Sequence, residues 1–304
     1  MKIVISGGSG FIGSALIQRL LSEKNDVVML TRHLGSSNFE HQRLRSVQWD
    51  GIIVAEWARE IDGADAVINL AGELIAGKRW SATQKRNILE SRINATRAIV
   101  SAIRQAKKKP EVLVSASAVG YYGDMKTKNV SEGVIKGKGF LADVCEQWEQ
   151  AAKPAAGLGV RVVNPRIGVV LGNNGGALPK MLIPFKMGFG GWMGSGEQWF
   201  PWIHRDDVVN AILFAIHNNK IDGALNLAAP ESVSMKEFCK VLGSVMHRPA
   251  WAPVPEFVLK IALGEMSEML LTGQNVIPKK LVDNGYTFLY PDLKNALSSI
   301  VGKK

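Results

Sequence analysis

The run Gly7-Gly8-Ser9-Gly10-Phe11-Ile12-Gly13 constrains the fold of this chain more than any other stretch. It stands between the apolar run Lys2–Ser6, which reads as a strand, and residues 11–23, where Ile12, Leu16, Leu20 and Leu21 recur on one helical face. A second strand pattern follows at 27–31. Strand, glycine turn, helix and strand in that order imply a parallel sheet covered by helices. Gly7 lets the chain turn sharply, and Gly10 lets the backbone approach a pyrophosphate with no Cβ in the way. Gly13 lets the helix sit close to the strand. The amides of Phe11 and Ile12 at the helix start then face negative charge. The turn is therefore read as a dinucleotide site.

The end of the second strand bears on which dinucleotide. A ribose diol is commonly held there by Asp or Glu. Here the strand ends Leu30-Thr31-Arg32, with His33 next, and Asp26 lies at the other end. The planar fork of Arg32 can pair with a 2′-phosphate, which favours NADPH over NADH. The alternative is that Arg32 is a solvated loop residue.

Alternating strand and helix patterns continue to about residue 170. Strands are expected at 47–49, 64–70, 112–117 and 160–165. Helices are expected at about 82–107, with Ser81 and Gln84 in capping-box spacing, and at 140–157. The expected fold class is α/β: a Rossmann doubly wound parallel sheet with a small C-terminal substrate domain. The texture changes after Gly168, with glycine-rich loops at 172–176 and 188–196 around a short helix at 179–187. A helix at 206–217, capped by Asp206, and a strand at 224–227 follow. Ser234 and Glu237 then form a second capping box, and short proline-limited helices fill the tail. Residues 1–172, with 204–227 returning to them, are read as the nucleotide domain. Residues 173–203 and 228–304 form the substrate side.

Composition excludes several classes. No apolar run approaches the roughly 18 to 20 residues of a membrane span, and no targeting segment is read before the first strand. Cys145 and Cys239 have no metal-ligand spacing and suit a reducing cytoplasm. No metal is expected. The formal net charge of +10 favours anionic ligands. Its carriers are nevertheless scattered over Lys107 to Lys109, Lys126, Lys128, Lys136, Lys138, Lys279, Lys280, Lys303 and Lys304, without interleaved aromatics. That pattern points to a small anionic substrate and no nucleic acid.

The glycine turn, Asn69-Leu70-Ala71-Gly72 and Ser115-Ala116-Ser117 resemble the extended short-chain dehydrogenase/reductase superfamily. Residues 69–81, 115–124, 165–172, 194–207 and 264–281 resemble, more narrowly, the YfcH-type epimerase family of sugar-nucleotide-epimerase-like proteins. The resemblance runs the whole length. It implies NADP(H) binding, with Leu70, Ala71, Gly72, Ser115, Ala116, Pro165 and Arg166 along the cofactor. It also implies a homodimer through the long helix and the helix at 140, and it names no substrate. Asn94 and Ser117 match two of the superfamily's catalytic positions. The Tyr-x-x-x-Lys pair is missing, because Phe140 and Val144 stand where it belongs. Phenylalanine cannot transfer a proton and valine carries no charge.

Tyr121 and Tyr122 are the candidate replacements for the lost acid; the alternative is that they pack and hydrogen-bond the loop. Arg79 and His204 are candidate partners or substrate contacts, although His204 could equally bond the backbone. Arg166 could meet a phosphate or carboxylate, or form a structural ion pair. Trp192, Trp199 and Trp202, with Ser195 and Gln198, are expected along a cleft between the two parts. Two functions stay open. One is an NADP(H)-dependent oxidoreductase or epimerase, and the other is a non-catalytic NADPH-binding sensor or regulatory module.

Overall fold

The structure, a computed structural model, describes residues 1–35, 40–125 and 129–302. Lys126, Lys128, Lys303 and Lys304 lie outside the described residues. The first half runs β1 (Lys2–Ser6), α1 (Phe11–Ser22), β2 (Asp26–Thr31), β3 (Leu44–Gln48), β4 (Ala66–Asn69), α2 (Ala82–Gln105), β5 (Val112–Ser115), β6 (Ser117–Ala118), β7 (Asn129–Val130), α3 (Phe140–Ala152) and β8 (Arg161–Ile167). The second half runs β9 (Val169–Leu171), α4 (Leu178–Lys186), β10 (Trp199–Phe200), β11 (Trp202–His204), α5 (Arg205–His217), β12 (Gly223–Leu227), β13 (Val233–Ser234), α6 (Met235–Met246), α7 (Glu256–Leu263), α8 (Glu268–Leu271), β14 (Asn275–Val276), α9 (Lys279–Asp283) and α10 (Leu293–Val301).

The main sheet has the order β3-β2-β1-β4-β5-β8-β12, with β6 also on β8, and every pair is parallel. Strand order reverses between β1 and β4, which leaves a crevice beyond their carboxyl ends. Each face of the sheet has its own core. Leu16, Ile17 and Leu20 of α1 and Val208, Ile212 and Ile216 of α5 cover one face. Ala95, Ile99 and Ile103 of α2 cover the other, together with Trp49 and Trp57. A third core belongs to the second half, where Phe185, Phe200, Trp202, Phe238, Leu242 and Leu297 pack together.

Local chemistry accounts for the element ends. Ser81 Oγ accepts from the amide of Gln84 at 3.2 Å and starts α2. Ser234 caps α6 in the same way, through the amide of Glu237 at 3.1 Å. The helix expected at 140–157 stops as an α-helix at Ala152 and continues as a 3-10 turn, Lys153–Leu158, in which Pro154 lacks an amide to donate. The strand expected at 112–117 breaks at Ala116, and Ser117 and Ala118 pair instead with Arg166 and Ile167. The cap of α5 is His204, not Asp206: its Nδ1 accepts from the Asp206 amide at 3.1 Å.

One buried carboxylate ties the C-terminal segment to α5. Asp207 is fully buried and accepts from the amides of Leu289 at 2.7 Å and Tyr290 at 2.9 Å, and from the Tyr286 hydroxyl at 3.2 Å. Asp207→Ala would leave those donors buried without a partner. We expect it to lower unfolding free energy by about 2–4 kcal/mol, read as a shifted urea midpoint at unchanged slope.

Candidate functional site

Two glycines of the turn exclude a side chain by close contact, and a third does not. Gly7 has φ +74°, and a Cβ there would stand 2.7 Å from the carbonyl carbon of Leu70. A Cβ on Gly13 would stand 2.2 Å from the Gly7 carbonyl oxygen. Gly10 differs, because the nearest atom to its Cβ position is the Gly7 oxygen at 3.2 Å, and no other neighbour among the described residues is within 4 Å. Its missing side chain keeps space open in front of the helix. Gly10 is the N-cap of α1 with φ −77° and ψ 173°, and no side chain of the described residues caps the helix there. Among the described residues, the first amides of α1, those of Phe11 and Ile12, therefore meet neither a capping side-chain oxygen nor a Gly10 Cβ at the mouth. Leu70 and Ala71 form the opposite wall, and Gly72 lies against Arg92, where a Cβ would meet the Arg92 Cζ at 3.0 Å.

A cavity of about 400 Å³ lies at the ends of β2 and β3, lined by Arg32, His33, Gln48, Asp50, Trp49 and Trp57 among others. Arg32 is exposed at its rim. The two indoles meet edge to face, with centroids 5.3 Å apart. Ser115 and Ala116 are buried at the end of β5, and the Ser115 hydroxyl has no partner among the described residues.

Ser117 opens a second, buried network. Its hydroxyl donates to Glu149 Oε1 at 2.7 Å. Arg166 holds the same carboxylate with two prongs, Nε to Oε1 at 2.8 Å and Nη2 to Oε2 at 2.9 Å. Arg166 Nη1 donates to the Tyr122 hydroxyl at 2.9 Å, which donates in turn to Asn226 Oδ1 at 2.6 Å. The guanidinium carbon also lies 3.4 Å from the Tyr121 ring centroid. Arg166, 4% exposed, is thus in the structural ion pair, beside Pro165 inside β8. Burial alone would lower its pKa, but Glu149 and Tyr122 more than offset that and raise it. Burial pushes the Tyr122 phenol up to about 12, against the pull of Arg166. Tyr122 is fully buried, whereas Tyr121 keeps partial exposure. Burial likewise pushes the neighbouring Cys145 thiol up to about 11.

An apolar cluster fills the place of the missing Tyr-Lys pair. Phe140 meets Trp80 edge to face at 5.0 Å, and Val144 is buried beside Trp80 and Ile88. Asn94 is half-buried on α2. Arg79 is exposed and donates to the Ile261 carbonyl at 2.8 Å. Gln198 donates to the carbonyls of Met193 and Leu270 at 2.9 and 2.6 Å. Trp202 sits in the third core, 1% exposed, with its indole N–H on the Glu231 carbonyl at 3.1 Å. His204 is buried, stacked on Tyr290 at 3.9 Å and 3.4 Å from the Ser299 hydroxyl. The structure therefore gathers Ser117, Tyr121, Tyr122 and Arg166, and places Trp202 and His204 in packing and capping roles. Sequence reading missed Glu149, Asn226 and Glu132, whose Oε1 accepts from the Asn226 amide at 3.1 Å. An asparagine inside the otherwise apolar strand Gly223–Leu227 was the available signal.

An open glycine turn at the strand-order reversal of an all-parallel, helix-covered sheet defines a Rossmann protein of the extended short-chain dehydrogenase/reductase type. The chain belongs to the NAD dependent epimerase/dehydratase family, whose model matches residues 3–228. Residues 254–300 match a domain of unknown function, DUF1731. The chloroplastic epimerase family protein SDR39U1 homolog of Arabidopsis thaliana is 44% identical over 306 residues, covering 99% of this chain and 87% of the relative. Epimerase family protein YfhF of Bacillus subtilis is 41% identical over 308 residues, covering 100% and 99%. The crystal structure of human epimerase family protein SDR39U1 with NADPH matches with a TM-score of 0.91 at 35% identity, covering 100% of both chains. Among the described residues, no helix is long and apolar enough to cross a membrane, and no group of His, Cys, Asp and Glu could hold a metal ion.

Two expectations follow from the network. Glu149→Ala strands the buried Arg166 charge, and the cost should be about 3–5 kcal/mol, measured by urea denaturation. The Tyr122 pKa of about 12 in the fold lies above the ordinary phenol value of about 10. Its proton is therefore held more tightly folded than unfolded. That stabilisation is full below about pH 10 and is lost as pH rises toward 12. Melting temperatures followed across that window should fall more steeply in the wild type than in Tyr122→Phe. Tyr286, raised by burial and by Asp207, leaves a residual slope in the variant.

Proposed function

We propose that this chain is an NADP(H)-binding protein of the YfcH-type, atypical extended class, acting as an oxidoreductase or epimerase-like enzyme. Its substrate class is sugar-nucleotide-like or another anionic carbonyl or alcohol. The observation that carries the reading is the cradle at α1, where Gly7 and Gly13 admit no side chain and Gly10 leaves the helix mouth open. That shape suits a diphosphate on the amides of Phe11 and Ile12. Arg32, beside the cavity of Trp49 and Trp57, suits a phosphate on the adenosine 2′-oxygen. The human relative solved with NADPH supports the same choice. When bound, the dinucleotide supplies a hydride donor or acceptor. Residues 1–172 with 204–227 form the nucleotide side, and 173–203 with 228–304 the substrate side.

The residues near the reacting end have defined parts. Ser117 spends its proton on Glu149, so the lone pairs of its oxygen are what it offers a substrate hydroxyl. Asn94 supports that end from α2. Tyr121, stacked on Arg166 and partly exposed, is better placed than Tyr122 to meet a substrate oxygen. One observation favours a second reading, a non-catalytic NADPH-binding sensor or regulatory module: Phe140, Trp80 and Val144 make the customary acid position apolar.

Titration calorimetry tests the binding. The wild type should bind NADPH more tightly than NADH, and Arg32→Asp should weaken NADPH about tenfold or more while changing NADH little. Equal losses would remove the role of Arg32. Oxidation of NADPH across a panel of sugar nucleotides and small anionic ketones would separate the two readings: turnover supports the enzyme, and binding without turnover supports the sensor.

A further inference from the structure

The glycine turn is overlooked by a cation that the NADPH reading leaves unused. Arg205 opens α5, and its guanidinium carbon lies 5.6 Å from the ring centroid of Phe11, the first residue of α1. Three glycines after β9 pack on that same ring. A Cβ on Gly172 would meet Phe11 at 2.6 Å, one on Gly175 at 2.7 Å and one on Gly176 at 3.0 Å. The Gly172 Cβ position is also 3.6 Å from the Arg205 Cβ. Phe11 is therefore clamped between the glycine loop and an arginine, and its amide belongs to the mouth of α1.

The charge of Arg205 is poorly spent. Its Nη2 reaches Asp206 Oδ1 at 3.5 Å, a long contact to the adjacent residue, whose carboxylate is 43% exposed. The same carboxylate stands 3.8 Å from His204 Nδ1. The Arg205 Nε is buried with no partner among the described residues. A buried guanidinium N–H without an acceptor is costly, and an anion in reach would relieve that cost. The side chain keeps 27% of its surface exposed, so it is not locked into the core.

We infer that Arg205 is a second cation for the dinucleotide, reaching over Phe11 to the diphosphate at the mouth of α1. The inference rests on the NADPH reading above and deepens it by dividing the work between two arginines. Arg32 serves the 2′-phosphate, which only NADPH carries. Arg205 serves the diphosphate, which NADPH and NADH share. Its role is binding and positioning.

The test is calorimetry of Arg205→Met and Arg205→Lys with NADPH and with NADH, beside the wild type and Arg32→Asp. Methionine keeps an unbranched stem against Phe11, and unchanged melting temperatures of the apo variants confirm intact folding. Arg205→Met should weaken both nucleotides by the same factor, roughly tenfold to a hundredfold. Arg205→Lys, which keeps the charge without the fork, should fall between Met and wild type. Added salt should erode wild-type affinity more steeply than that of Arg205→Met. Wild-type affinity in Arg205→Met overturns the inference, as does a loss confined to NADPH. If only Arg205→Lys folds and it binds both nucleotides as the wild type does without a change in salt slope, the fork at 205 is dispensable and the inference fails. A wild type that binds neither nucleotide overturns the NADPH reading itself, and this inference with it.

Discussion

The approach of α1 to the end of β1 sets the geometry on which everything else rests. Gly13 comes so near the Gly7 carbonyl that a single Cβ would overlap it. That contact draws the helix mouth to the point where strand order reverses between β1 and β4. The dipole of α1 then points its positive end into the crevice, where a diphosphate is the best-matched occupant. Moving the helix outward by the width of a methyl group would loosen the alignment and the core beneath it, including Leu16 and Ile17.

The margin of the crevice is built on a different principle. Ser117, Glu149, Arg166, Tyr122 and Asn226 form one connected set of buried polar groups spanning β6, α3, β8 and β12. Such a network is worth keeping only when its members are satisfied, since an unpaired charge there is expensive. It holds Ser117 in one orientation, while burial keeps Tyr122 protonated well above neutral pH against the pull of Arg166. The superfamily's usual acid and its lysine are replaced by a Phe140–Trp80 contact and a buried valine. Neither Phe140 nor Val144 can exchange a proton, so that corner of the crevice is apolar.

Much of this was legible in the amino-acid order because periodicity and glycine spacing are local properties. Lys2–Ser6 is the strand expected, and Ser81 and Ser234 cap the helices expected. Where reading failed, long-range contacts decided. Glu149 looks like one more acidic residue on an amphipathic helix, and only the fold brings Arg166 to it. Trp202 reads as a cleft residue, but its placement in β11 beside β9 turns it into the third core. His204 is open in the sequence between a substrate contact and a bond to the backbone, and it takes the backbone role, accepting the orphan Asp206 amide at the start of α5. Arg205 gave no signal at all, because nothing in the local sequence reports that it faces Phe11.

Under the proposed function, the main-chain amides at the start of α1 hold the dinucleotide's diphosphate. Backbone amide NMR of the uniformly nitrogen-15-labelled chain, titrated with NADPH, tests it most directly. Large, saturable shifts are expected at Phe11 and Ile12, with smaller ones at Leu70 and Ala71. Saturable binding that leaves the Phe11 and Ile12 amides unmoved would contradict it.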